Sequence, residues 1–103
     1  MKANLTIPKQ QIADYCRRWK ITELALFGSV LRQDFHPDSD VDVLVRFQAE
    51  ARHTLFDMVR MQEELKRILG REVDLVSRRG IERSRNHLRK KAILESAEVV
   101  YEA

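Results

Sequence analysis

Three aspartates and one glycine–serine pair are the residues of this chain whose types and spacing could do chemistry. Gly28-Ser29 ends a short apolar run, Leu24-Ala25-Leu26-Phe27, and ten intervening residues lead to Asp40-Val41-Asp42, set among alternating valines. Asp74 repeats the arrangement as a lone carboxylate in Val73-Asp74-Leu75-Val76. Valine strands are built for burial, and a buried carboxylate is costly unless paired or bound to a cation. On a strand Asp40 and Asp42 share a face, about 6–7 Å apart along the backbone. Carboxylates that close repel unless a cation lies between them. Hard oxygen ligands in low number suit Mg2+, which keeps waters and takes further ligands from substrate phosphates. The alternative is an edge strand whose aspartates face water. If the strand of Asp74 lies beside the other, Asp74 joins the same face, where a third carboxylate can ligate metal and accept a hydroxyl proton.

Gly28 lets the backbone turn tightly and approach a ligand closely. Ser29 would then open a short helix, whose free N–H groups favour an anion such as phosphate. Read alone, a Gly-Ser pair after a strand is usually just a turn. Asp38-Ser39-Asp40-Val41-Asp42 also fits the start of an EF-hand calcium loop, but Val43 holds the glycine position and Ala49 the bidentate glutamate position, so that reading fails.

The elements that must position these residues follow from periodicity. Pro8 opens a helix in which Ile12, Tyr15, Cys16 and Trp19 form an apolar stripe. Residues 24–27 read as a buried strand, 30–33 as a brief helix and 34–39 as a loop. Residues 41–47 form a strand with Val41, Val43, Val45 and Phe47 on one side and Asp40, Asp42, Leu44 and Arg46 on the other. From Thr54 to Leu69 the residues Leu55, Phe56, Met58, Val59, Met61, Gln62, Leu65, Ile68 and Leu69 keep a helical period, with Thr54 and Gly70 as caps. A strand over 72–77, a basic helical segment over 81–96 and a strand over 98–101 complete the chain. The alternation predicts an α/β (α+β) fold, a small β-sheet flanked by helices, in a single domain over residues 1–103.

At 103 residues and 12.2 kDa the chain has room for one modest core. A net charge of +3 permits an anionic partner without demanding one. The single cysteine, Cys16, makes no intrachain disulfide, and no Cys/His set has zinc spacing. No stretch approaches the roughly 18 apolar residues of a membrane span and no signal peptide is visible, so a cytoplasmic location is expected. The basic run from Arg78 to Lys91 reads as a solvated helix face, or as a surface for an acidic partner, the nucleotide or nucleic acid. It lacks interleaved aromatics, which argues against single-strand stacking and, with it, against a nucleic-acid partner. His36, His53 and His87 are scattered and receive no role. A core this small leaves little surface for recognising an acceptor, so a partner protein is expected to complete the site.

Gly28-Ser29, ten residues and Asp40-Val41-Asp42, with Asp74 on a later strand, resemble the signature of the polymerase-β-like nucleotidyltransferase superfamily. Arg32, the approach Pro37-Asp38-Ser39-Asp40 and the run Arg71-Glu72-Val73-Asp74-Leu75-Val76 make the chain similar to its minimal nucleotidyltransferase (MNT) antitoxins. The resemblance covers nearly the whole chain, and implies the polymerase-β-like nucleotidyltransferase fold with a mixed sheet. It also implies that Gly28, Ser29 and Arg32 bind the triphosphate of ATP. Asp40, Asp42 and Asp74 would be the catalytic carboxylates and hold two Mg2+ ions, with Asp74 as general base. The reaction so implied is transfer of AMP to a tyrosine of a HEPN-domain ribonuclease toxin, in a hetero-oligomer with that toxin. A non-catalytic antitoxin that neutralises by contact alone is the alternative. One departure from the pattern is Gln33, where a glycine commonly follows the arginine.

Overall fold

The computed structural model describes residues 7–28 and 40–103. They form α1 (Lys9–Arg18), β1 (Ile21–Phe27), β2 (Val41–Phe47), α2 (Leu55–Leu69), β3 (Val73–Ser77), α3 (Arg78–Glu82), α4 (His87–Ser96) and β4 (Glu98–Glu102). The expected helix over 30–33 and loop over 34–39 lie outside the described residues. The strands make one mixed sheet in the order β3-β2-β1-β4. β1 pairs antiparallel with both β2 and β4, whereas β2 and β3 run parallel. Parallel neighbours need a crossover, and α2 supplies it.

From Leu24 to Phe27 β1 is buried on both sides, which explains the apolar run there. Leu24 and Leu26 point into one cluster, Ala25 and Phe27 into the other. The first cluster joins α1 and α2 to the sheet: Ile12, Tyr15 and Cys16 meet Met61 and Leu65 over Val41, Val43 and Val45. The Tyr15 hydroxyl donates to the Met61 carbonyl at 3.0 Å, tying the two helices together inside that core. Trp19, expected in the core, is half-buried and donates its indole N–H to Glu64 at 3.1 Å, while Arg18 pairs with the same carboxylate. The second cluster is smaller. Ile81 of α3 and Ile93 of α4 cover Ala25, Phe27 and Leu44.

Local chemistry sets the boundaries. Thr54 accepts from the Asp57 N–H at 3.2 Å, and the Asp57 carboxylate accepts from the Thr54 N–H at 2.9 Å, a full capping box. Gly70 ends α2 in the left-handed region at φ 68°. Too many apolar positions crowd α2 for one face. Met58, Met61, Leu65, Ile68 and Leu69 are used by the core, and Leu55, Phe56 and Val59 are left in solvent. The basic segment is two helices instead of the one expected, because Asn86 starts a new helix by accepting from the Arg89 N–H. His53 is structural. Its ring lies against Trp19 and Phe47, and Nε2 donates to the Trp19 carbonyl at 2.8 Å.

Candidate active site

The pattern of β2 splits its residues between the two faces of the sheet. Val41, Val43 and Val45 are all buried against α1 and α2, so Asp42, Leu44 and Arg46 stand on the opposite face. Leu44 is covered there by the second cluster, whereas Asp42 is only half-buried. β3 divides likewise, with Val73 and Leu75 inward and Asp74 exposed on the face of Asp42. The parallel register makes Asp42 and Asp74 direct partners, on strands about 4.8 Å apart. Asp40 precedes β2 by one residue, exposed at the strand entrance.

Gly28 closes the other side of this acidic corner. β1 runs antiparallel to β2, and Phe27 pairs with Asp42, so the chain leaves the sheet beside that carboxylate. Gly28 has φ +75°, and a Cβ built there would lie 2.2 Å from Asp42 Oδ2. Two independent demands therefore select glycine: the positive φ and the space taken by the Asp42 side chain. Ser29 and Arg32, expected at the phosphates, lie outside the described residues.

Backbone and side-chain bonds steady the corner. The Val41 N–H donates to the Glu72 carbonyl at 2.9 Å, and Lys66 Nζ pairs with Glu72 at 3.0 Å. Hydrogen bonding to Glu72 holds the Lys66 ammonium above its ordinary pKa. β3 is an edge strand, and Gln62 of α2 accepts from the Leu75 N–H at 3.2 Å, covering part of that edge. Periodicity places Gln62 on the inward stripe of α2, but its partner is set only by the crossover.

Among the described residues, no group of three or more His, Cys, Asp or Glu converges closely enough to hold a metal as it stands. Two carboxylates in register and a third at the strand entrance are nonetheless an all-oxygen donor set. That chemistry fits Mg2+ better than zinc or a softer metal. Two spaces of about 350 and 400 Å³ open around Phe47 and Arg79, at the far end of β2. No described helix is long and apolar enough to cross a membrane.

Comparison with known proteins places the chain in a family. The protein adenylyltransferase MntA of Thermococcus cleftensis is 38% identical over 72 residues, which cover 70% of this chain and 68% of that protein. Matches to four curated relatives span from 63% to 77% of their own length. A solved chain named as a minimal nucleotidyltransferase superposes with a TM-score of 0.67 at 33% identity, covering 87% of this chain and 86% of that one. A toxin–antitoxin structure with AMP-PNP shares the fold, with a TM-score of 0.71 at 21% identity over 94% of this chain and 75% of that one. Residues 9–100 match the nucleotidyltransferase domain, and the chain belongs to that family.

Proposed function

We propose that this chain is the antitoxin of a HEPN/MNT toxin–antitoxin pair, an enzyme that moves AMP from ATP to a tyrosine hydroxyl of its HEPN ribonuclease partner and so silences it. The observation that carries the reading is the register of Asp42 with Asp74 beside Gly28 in a nucleotidyltransferase domain. The Thermococcus relative is named a protein adenylyltransferase. Among the fold neighbours one structure holds AMP-PNP, and one is a Shewanella oneidensis MNT antitoxin in complex with tri-AMPylated HEPN toxin.

In this proposal Gly28, Ser29 and Arg32 bind the triphosphate, and Asp40, Asp42 and Asp74 would hold Mg2+. Two Mg2+ ions held there would supply neutralisation of the negative charge on the triphosphate. Asp74, the more exposed of the registered pair, accepts the proton of the tyrosine hydroxyl. The phenolic oxygen bonds to the α-phosphorus, the bond from that phosphorus to the bridging oxygen breaks, and pyrophosphate leaves. The buried valines flanking Asp42 fix the strand, so the carboxylates stay in place without reorganising.

Incubation with α-labelled ATP, Mg2+ and the HEPN-domain protein encoded beside it should label that protein. Chelating the metal, or making Asp42→Ala, should reduce labelling to background. No labelling of a toxin shown to cleave RNA would refute the proposal. Protection of cells by an Asp40→Ala/Asp42→Ala chain would instead favour neutralisation by binding alone.

A further inference from the structure

The outer side of α2 carries apolar side chains that the domain does not use. Leu55 and Phe56 are each 81% exposed and Val59 is 56% exposed, all within the first two turns of the helix. Phe56 and Val59 are neighbours at i and i+3, so with Leu55 they make one ridge and not scattered exposures. Single exposed apolar residues need no explanation, but a contiguous patch marks an interaction site. Round the same helix, on the side of Met58, a cleft of about 400 Å³ is lined by Phe47, Ala51, His53 and Met58 together with Arg52 and Arg79. Both arginines are exposed, and neither makes an ion pair among the described residues.

The charge around the patch selects the occupant. A second copy docked by two-fold symmetry would bring the same arginines face to face, which disfavours a homodimer here. A partner with an apolar anchor flanked by carboxylates would fill the cleft and neutralise Arg52 and Arg79. We propose that the Leu55–Phe56–Val59 ridge and this cleft are the docking surface for an acidic patch of a protein partner. The proposal rests on the reading above, in which that partner is the HEPN-domain acceptor. The patch lies at the Phe47 end of β2, five residues and roughly 16 Å along the strand from Asp42. It therefore holds the acceptor by a surface remote from the reacting atoms, and its loss lowers affinity.

The test measures binding of the HEPN-domain protein by wild type, Phe56→Asp and Leu55→Ser, alongside labelling from α-labelled ATP at rising acceptor concentration. Phe56→Asp should weaken the complex at least ten-fold, with labelling recovered when the acceptor is raised in proportion. Arg52→Glu with Arg79→Glu should slow association and flatten its salt dependence. Leu55→Ser repeats the test with a milder change, should Phe56→Asp disturb the helix by circular dichroism. Wild-type affinity in both ridge variants overturns the docking surface and leaves the transfer reading standing. A wild-type chain that self-associates, and becomes monomeric on Phe56→Asp with acceptor binding intact, assigns the patch to a second copy and also overturns it. A wild-type chain that neither binds nor labels the acceptor removes the transfer reading, and the docking proposal with it.

Discussion

On one face of the sheet α1 and α2 bury Ile12, Tyr15, Met61 and Leu65 against three valines of β2; on the other, α3 and α4 contribute Ile81 and Ile93 over Ala25, Phe27 and Leu44. The same strands thus serve two layers of unequal depth. Burial on the deeper side holds β2 and β3 in register. The shallower side leaves the β2 entrance and Asp74 open to solvent, where a nucleotide and an acceptor could reach them. One face makes the domain stable, and the other is free to carry charge.

That contrast can be broken by cavity formation. Leu65→Ala, at a fully buried position of the deep face, should cost about 2–5 kcal/mol in urea unfolding. Ile93→Ala, in the smaller cluster at the margin, should fall near 2 kcal/mol or below. An equal or larger loss at Ile93 would mean that the thin layer carries the fold after all.

Alkali should separate the faces next. Burial pushes the Cys16 thiol from 9.0 up to about 12, and burial pushes the Tyr15 hydroxyl above its ordinary 10.0. Both groups lie in the deep cluster, and the second cluster holds no titratable group among the described residues. A raised folded pKa means the native state keeps a proton that the unfolded chain releases. Its stabilisation is complete below the unfolded value and is lost as pH rises through the folded one. The urea midpoint should therefore hold from pH 7 to about 9 and decline from there towards 12. Cys16→Ala should flatten the first part of that decline, between 9 and 10.

Much of this division was legible in the sequence. The strand over 41–47 was readable to the residue, because a period of two separates valines from aspartates without exception until Leu44. β1 was read from Leu24 only, since Thr22 and Glu23 interrupt the apolar run where a bulge shifts the register. The caps Thr54 and Gly70 were legible because their chemistry is local. The pairing of Asp42 with Asp74 was not, as it depends on a crossover that no single segment encodes. Nor was the exposure of Phe56. A helical period counts apolar positions, but only the packed sheet decides which of them it has room for.

The smallest effect tests the functional face itself. Asp42 and Asp74 are like charges in register on neighbouring strands, and like charges so placed repel. Asp74→Asn keeps the shape and removes one charge. In metal-free buffer it should leave stability unchanged or raise it by about 0.2–1 kcal/mol. The same substitution should abolish labelling of the acceptor, because it removes both a ligand and the proposed proton acceptor. Added Mg2+ should stabilise the wild-type chain more than the variant, since the proposed site loses one of its three carboxylates in Asp74→Asn. A variant less stable than wild type without metal would show that Asp74 is held for structure. The carboxylates would then belong with the deep face, and the division between stability on one side and chemistry on the other would fail at its central pair.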